Sequence, residues 1–314
     1  MISSTTVWRV RLLRTPEDRF SDLPDFDFPA FHADVDHPLH GIIRIGYVET
    51  GPPDGPTVLL LHGEPSWSYL YRKMLPVLAE AGIRAVAPDL VGFGRSDKPV
   101  DVADHTYARH VEWMRAFAFD ALDLRDVVLV GQDWGGLIGL RLVAENIDRF
   151  AGVVAANTGL PTGDHDMPEQ WWAFHDAVQN AQVLDIARFV QSGCERTLTE
   201  AERAAYDAPF PNEMYKAGPR ALPALVPTTP DDDASEANRA AWKKLSTSSL
   251  PFLCAFSDGD PITEAMGPVL RRTMPGAAGR EHPTIAGAGH FLQEDAGEEL
   301  ARVVVEFVRG LERP

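Results

Sequence analysis

Residues 127–136, which read VVLVGQDWGG, constrain the fold more than any other part of the chain. A β-branched apolar run ends at a small residue, and Asp133 follows after one polar residue. Two glycines then open an apolar segment, residues 137–143, whose composition favours a helix. This order predicts a strand, a very tight turn and a helix. It is typical of a nucleophile elbow, where the neighbours of the nucleophile must be small because the turn is strained.

Asp133 stands where the usual elbow carries a serine. A carboxylate is ionised near neutral pH, so it can attack without first losing a proton to a base. The N-terminus of the following helix would stabilise this anion. We therefore expect Asp133 to act as a nucleophile, with displacement at a saturated carbon as its chemistry. The alternative is a GxDxG sequence that only forms a turn.

Strand and helix patterns alternate on both sides of the elbow. This alternation predicts a parallel sheet covered by helices on both faces. Residues 158–249 differ, because they contain no β-rich run and are rich in proline. We predict a core in two parts, residues 1–157 and 250–314, with residues 158–249 as a helical cap inserted over the carboxyl edge of the sheet. Residues up to about 38 are expected to form an extension without regular structure, anchored by Phe20, Phe26 and Phe28.

Composition excludes several classes of partner. The 314 residues carry a formal net charge of −17, which argues against nucleic acids and anionic membranes. Cys194 and Cys254 have no metal-ligand spacing, and the run of three aspartates at 231–233 is expected to be a solvated loop. We expect no metal and no cofactor. The chain has no apolar stretch of signal-peptide or membrane-span length, which favours a cytoplasmic location.

An ester formed on Asp133 would need water activated by a base. His290 is the candidate, because it follows a glycine-rich loop after the last predicted strand. Asp260, which precedes a proline at the end of a turn, is favoured as the acid that orients it, and Asp258 is the alternative that caps the turn. The chain order of nucleophile, acid and histidine is that of the α/β-hydrolase fold. Backbone amides of Glu64 and Trp134 are the expected oxyanion hole.

Five motifs together resemble the haloalkane dehalogenases, and the resemblance spans nearly the whole chain. They are HGEPSWSYL at 62–70, DLVGFGRSDK at 89–98, GQDWGG at 131–136, DAPFP at 207–211 and GHFLQED at 289–295. The resemblance implies hydrolysis of a carbon–halogen bond through an alkyl ester on Asp133. It also implies the family branch whose acid sits where Asp260 does, since Asn157 is not acidic. The implied partners are a small apolar halogenated substrate, a halide ion and water, for a monomer or small homo-oligomer.

The resemblance further implies two ring N–H donors for the departing halide. Trp134 matches the first. The family's second tryptophan falls at or next to Phe174, so we expect Trp171, one helical turn earlier, to supply it. Asp166 and Glu169 suggest a capping box for this helix. The alternatives are Trp172 as the donor, or both tryptophans as cap core. Four residues match positions that line the substrate pocket in the family, namely Phe174, Pro223, Val226 and Ile262.

Two other functions remain open from the sequence. An epoxide hydrolase shares the Asp nucleophile and would use two cap tyrosines, for which Tyr206 and Tyr215 are available. Glu64, where that family commonly has an aromatic residue, favours the dehalogenase. A noncatalytic ligand-binding protein on the same fold is the second alternative. It is disfavoured because Asp133, Asp260 and His290 are all present.

Overall fold

The computed structural model describes residues 11–37 and 41–311. Within them the chain forms these strands: β1 (Leu12–Leu13), β2 (Ala30–His37), β3 (Gly41–Thr50), β4 (Thr57–Leu61), β5 (Arg84–Pro88), β6 (Lys98–Pro99), β7 (Val127–Gln132), β8 (Phe150–Ala156), β9 (Phe252–Cys254), β10 (Phe256–Ser257) and β11 (Thr284–Ile285).

Seven of these strands form one sheet in the order β2-β3-β5-β4-β7-β8-β9. The strands β5, β4, β7, β8 and β9 are parallel, while β2 and β3 add an antiparallel edge. The central strand β7 is buried along its whole length, as expected for a strand covered on both faces. The mostly parallel sheet of an α/β fold is therefore confirmed.

The helices of the described residues are α1 (Met74–Glu80), α2 (Tyr107–Arg115), α3 (Trp134–Glu145), α4 (Glu169–Asn180), α5 (Ile186–Ser192), α6 (Glu200–Asp207), α7 (Ala217–Ala224), α8 (Ser235–Leu245), α9 (Met266–Thr273) and α10 (Leu292–Leu311). Among residues 11–37 and 41–311, none of these helices has the length and apolar character that crossing a membrane requires. The helix α3 packs directly against β7, and α1 packs against α10.

The interval between β8 and β9 contains α4 to α8 and, in this described stretch, no strand. Prolines lie between α6 and α7, within α7 and between α7 and α8, and a proline lacks the backbone N–H that pairing in a sheet needs. The helical content expected between these strands is thus present. The domain boundaries at residues 157 and 249 stay predictions.

The N-terminal segment contains a strand that the sequence analysis did not anticipate. Residues 30–37 form β2, which pairs with β3 along all eight positions. Apolar and polar residues alternate from Phe31 to Asp36, which is a strand pattern that the sequence analysis overlooked. Of the side chains described in β2, only Val35 is buried. Phe20 and Phe26 pack on Trp67 at ring distances of 5.4 Å, as their anchoring role requires. Residues 1–10 lie outside the described part of the chain.

A buried charge cluster joins α10 to the interval between β8 and β9. Glu294, fully buried, accepts from Arg72 Nη1 at 2.6 Å and Nη2 at 2.7 Å. It also accepts from Arg196 Nη2 at 2.9 Å, from Lys73 Nζ at 3.0 Å and from the Tyr206 hydroxyl at 2.5 Å. Burial alone would raise the pKa of Glu294, but Arg72 and the Tyr206 hydroxyl lower it to about 2. The carboxylate is therefore charged and fully paired.

Replacing Glu294 by glutamine should destabilise the fold strongly. The substitution leaves the buried Arg72 guanidinium without its closest counter-charge, a loss that costs about 3–5 kcal/mol in comparable buried pairs. Because the folded-state pKa lies below the ordinary 4.5, this stabilisation is full above pH 4.5 and is lost as the pH falls through 2. Urea unfolding of Glu294→Gln and wild type at several pH values measures it.

Glu298→Gln is the matched control on the same helix. Glu298 pairs with Arg302 at 3.2 Å, and both side chains are about two-thirds exposed. Such a surface pair contributes at most about 1 kcal/mol. Equal losses of stability in the two variants would contradict the role given to the buried cluster.

Candidate active site

Asp133 sits on the sharp turn between β7 and α3. Its backbone has φ 49° and ψ −124°, a strained conformation for a residue with a side chain. Close packing leaves no room for a side chain at Gly135, where a Cβ would lie 1.8 Å from the Leu61 carbonyl oxygen. The small residues around Asp133 are thus required by the turn, as the elbow interpretation predicted.

Hydrogen bonds fix both the backbone and the side chain of Asp133. Its backbone N–H donates to the Asn157 carbonyl at 3.0 Å, and its carbonyl accepts from the Thr158 hydroxyl at 2.8 Å. On the side chain, Oδ1 accepts from the Glu64 backbone N–H at 2.8 Å. Oδ2 lies 3.5 Å from His290 Nε2. One carboxylate oxygen is therefore held by the loop after β4, while the other faces the imidazole.

His290 is oriented by Asp260. The imidazole Nδ1–H donates to Asp260 Oδ2 at 3.0 Å, which leaves Nε2 directed at Asp133. Asp260 is itself fixed, because Oδ1 accepts from the Ile262 N–H at 3.0 Å and the Thr263 hydroxyl donates to Oδ2. The alternative acid Asp258 instead accepts from the Gly287 N–H at 2.8 Å and caps the turn.

Charge on the two carboxylates controls the proton on His290. Burial alone would lower the pKa of His290, but the charges of Asp260 and Asp133 and their bonds to the ring raise it to about 10. Burial would raise the pKa of Asp260, yet the neighbouring His290 and Thr263 hold it below its ordinary value. With both carboxylates charged, His290 is an imidazolium at neutral pH.

Asn157 is a structural centre that the sequence analysis noted only for its lack of charge. Its side-chain amide donates to the carbonyls of Gly289 at 2.9 Å and His290 at 3.1 Å, and to Ser257 Oγ at 2.8 Å. Gln132 Nε2 also donates to the His290 carbonyl at 3.1 Å. The signal in the sequence was a polar residue directly after a buried strand, which places its side chain at the carboxyl edge of the sheet.

The loop after β4 brings Glu64 against the nucleophile. His62 stabilises this loop, since its Nδ1 donates to the Gly63 carbonyl and its Nε2 accepts from the Leu90 N–H, both at 2.9 Å. The Glu64 side chain is buried, and no described residue hydrogen bonds to its Oε1. Burial and the adjacent Asp133 charge raise the pKa of Glu64 well above its ordinary value.

Asp133 and His290 open into a cavity of about 1180 Å³ whose walls are mainly apolar. Its lining includes Glu64, which was expected in the oxyanion hole. It also includes every residue expected at the halide and substrate sites, namely Trp134, Trp171, Phe174, Pro223, Val226 and Ile262.

The two neighbouring tryptophans of α4 differ in position. Trp171 is buried and lines the cavity, whereas Trp172 is 41% exposed and does not. In the described residues neither the Trp134 nor the Trp171 indole donates to a protein acceptor, which leaves both N–H groups available. The expected capping box is wrong, because α4 follows Pro168 as its N-cap and has no side-chain cap.

The two tyrosines that an epoxide hydrolase would need lie elsewhere. The Tyr206 hydroxyl is buried and committed to Glu294. Neither Tyr206 nor Tyr215 is among the described residues that line the cavity. The structure therefore supplies no tyrosine hydroxyl to Asp133 from these positions.

Comparisons with known proteins agree with this architecture. A family model described as alpha/beta hydrolase fold matches residues 56–297. The chain is 52% identical over 299 residues to a haloalkane dehalogenase of Psychrobacter cryohalolentis, covering 95% of this chain and 98% of the relative. It is 50% identical over 297 residues to haloalkane dehalogenase 1 of Mycobacterium tuberculosis, covering 94% and 98%. Among solved structures, the tetrameric haloalkane dehalogenase of Paraglaciecola agarilytica matches with a TM-score of 0.86 and 36% identity, covering 94% and 97%.

Replacing Asp260 by asparagine should lower the pKa of His290. The substitution removes the closest negative charge from the imidazole, and an adjacent opposite charge typically accounts for about 1–3 pH units. Because the folded-state pKa lies above the ordinary 6.5, the stabilisation from the imidazolium is full below pH 6.5 and is lost as the pH rises through 10. The His290 ring resonances, followed by NMR against pH, report the pKa directly.

Asp258→Asn is the control for this titration. Asp258 lies on the same turn but bonds to Gly287 and not to the imidazole. Its substitution should leave the pKa of His290 close to the wild-type value. An unchanged pKa in Asp260→Asn, or the same shift in both variants, would contradict the assignment of Asp260.

Proposed function

The chain belongs to the haloalkane dehalogenase family of α/β-hydrolases, and from this premise we propose that Asp133, His290 and Asp260 carry out a two-step hydrolysis. The protein is a hydrolase that acts on carbon–halide bonds and gives an alcohol, a halide ion and a proton. The observation that carries the residue assignment is the line of contacts from Asp260 through His290 to Asp133 at the floor of an apolar cavity.

In the first step, Asp133 Oδ2 attacks the carbon that bears the halogen. A carbon–oxygen bond forms while the carbon–halogen bond breaks, and the electron pair leaves with the halide. The Glu64 N–H keeps Oδ1 in place at 2.8 Å, which turns Oδ2 towards the cavity. The raised pKa of Glu64 favours its neutral carboxyl, which limits the negative charge beside the nucleophile. The product is a neutral alkyl ester on Asp133.

The leaving halide is held by the indole N–H groups of Trp134 and Trp171. Both rings line the cavity, and neither N–H donates to the protein in the described residues. Donors placed where charge develops lower the barrier, because they need no reorganisation as the bond breaks. An apolar cavity strengthens this interaction by excluding competing water.

In the second step, His290 activates water to hydrolyse the ester. Esterification removes the negative charge of Asp133, which is one of the two charges that raise the pKa of His290. The imidazole can then release its proton and take one from water through Nε2, while Asp260 stabilises the new imidazolium. Water adds to the ester carbonyl, and the amides of Glu64 and Trp134 stabilise the oxyanion. The collapse expels the alcohol and restores Asp133.

We extend the proposal to the partners and setting. The substrate is a halogenated alkane, and halide and water are the remaining participants. A small homo-oligomer is supported by the tetrameric relative from Paraglaciecola agarilytica. A cytoplasmic location and a role in detoxification stay predictions. The epoxide hydrolase alternative is not favoured, because Tyr206 and Tyr215 do not line the cavity.

Changing His290 to glutamine should stop the reaction at the ester. The first step does not use His290 as a base, so 1-bromobutane should release about one equivalent of bromide per chain. The intact protein should then gain the mass of one butyl group, and peptide mapping should locate it on Asp133. Continued bromide release from the variant would show that another group acts as the base.

His165→Gln and the wild-type chain serve as controls. His165 lines the same cavity but is exposed and has no part in the proposed steps. Both controls should release bromide continuously from 1-bromobutane and 1,2-dibromoethane and form no diol from styrene oxide. Diol without bromide in the wild type would overturn the dehalogenase function in favour of epoxide hydrolysis.

Trp171→Phe should weaken halide binding about tenfold or more, since a hydrogen bond to a charged group typically contributes about 1.5–3 kcal/mol. Trp172→Phe is the matched control, because its ring is exposed and lies outside the cavity lining. Bromide dissociation constants from isothermal titration calorimetry measure both. Similar constants for the two variants would refute Trp171 as the second donor.

A further inference from the structure

The cavity continues well beyond the catalytic residues. On one side its lining includes six consecutive residues, 159–164, which follow Thr158, whose hydroxyl bonds to the Asp133 carbonyl. Gly159 lies against Met266, since a Cβ on this glycine would lie 3.0 Å from Met266 Cγ. Both residues line the cavity, and we refer to the part of it lined by residues 159–164 and α9 as the channel.

One face of α9 forms the opposite wall of this channel. Met266, Val269 and Thr273 all line the cavity and recur at the spacing of a single helix face. At 1.5 Å per residue, the step from Met266 to Thr273 is about 10 Å long. The channel beside the catalytic centre therefore extends by about two helical turns.

Two residues of α8, Arg239 and Trp242, line a third side of the channel. Trp242 donates from Nε1 to the Leu160 carbonyl at 2.7 Å, which ties α8 to the segment 159–164. Arg239 forms two bonds of 2.8 Å to the carboxylate of Asp164 and a further bond to the Pro230 carbonyl at 3.0 Å. We refer to the space enclosed by Leu160, Thr162, Trp242, Met266, Val269 and Thr273 as the distal arm.

The charged groups around the cavity exclude an anionic substrate tail. Asp164, Asp166 and Glu195 are exposed carboxylates in the cavity lining, and Arg239 is its one Lys or Arg side chain among the described residues. Because Arg239 is neutralised by Asp164, the rim is net negative. The whole chain, at −17, adds to this potential.

We propose that the distal arm binds the alkyl chain of an extended, uncharged haloalkane whose halogen-bearing end lies at Asp133. The proposal rests on the dehalogenase function and specifies its substrate class. A haloalkane of two or three carbons would fill only the space beside Asp133 and Trp134. Each further methylene that enters the arm leaves water, and this transfer favours binding about fourfold per methylene.

Specificity constants for 1-bromobutane and 1-bromooctane test the distal arm. The wild-type ratio, octane over butane, should be at least tenfold. Thr273→Trp fills the far end of the arm and should reduce this ratio at least fivefold, and Val269→Phe should reduce it in the same direction. Arg272→Trp is the matched control, because Arg272 is exposed on the same helix and does not line the cavity. Its ratio should stay within twofold of wild type.

The possible outcomes distinguish a failure of the distal-arm proposal from a failure of the dehalogenase function. Turnover of 1-bromobutane with a ratio near one in the wild type, or a ratio that Thr273→Trp and Val269→Phe leave unchanged, would overturn the distal arm alone. Absence of bromide from both substrates would overturn the dehalogenase function and the arm with it. Circular dichroism establishes that each variant is folded before its ratio is used.

A charged analogue tests the second half of the proposal. Wild-type turnover of 8-bromooctanoate should be at least tenfold less efficient than that of 1-bromooctane. Added salt should narrow the gap, because it screens the carboxylates of the rim. Equal efficiency for the two substrates would contradict the requirement for an uncharged chain.

Discussion

The strained turn at Asp133 is the constraint on which the rest of the site depends. A residue with a side chain adopts φ 49° there because β7, α3 and the Leu61 carbonyl pack too closely for any other path of the chain. The turn projects the carboxylate past the end of the sheet and sets it beside the Glu64 amide. Hydrogen bonds from Thr158 and to Asn157 retain the strain. The packing and hydrogen bonds around Asp133 thus offset the free-energy cost of its unfavourable backbone conformation.

The site also depends on the electrostatic interactions of His290 with two carboxylates. Two carboxylates share one imidazole, and the charge of each keeps the proton on His290. In the proposed mechanism, esterification of Asp133 would remove one of these charges and so lower the pKa of His290. The chemical state of the nucleophile would then set the acidity of the base, so that the ring becomes able to accept a proton only after the first step. Asp260 keeps the ring in one orientation throughout.

The sequence predicted those parts of the site that depend on residues close together in the chain. The elbow at Asp133 and the loop before His290 are marked by small residues in short runs, and the structure brings these two side chains to 3.5 Å. The strand β2 was missed although apolar and polar residues alternate over 31–36, because this short run lies in a segment rich in Asp and Pro. The contacts of Asn157 were missed for a different reason. They join residues a hundred or more positions apart, which no local pattern encodes.

The buried ion pairs around Glu294 restrict how the helical interval between β8 and β9 can move. Arg196 and Tyr206 come from the helical interval, whereas Arg72 and Glu294 belong to the core. A rigid-body movement of that interval away from the core would expose these charged groups to solvent and break the ion pairs between them. The cluster therefore opposes large movements of this interval relative to Arg72 and Glu294, so the apolar walls that it contributes stay in place while substrates come and go.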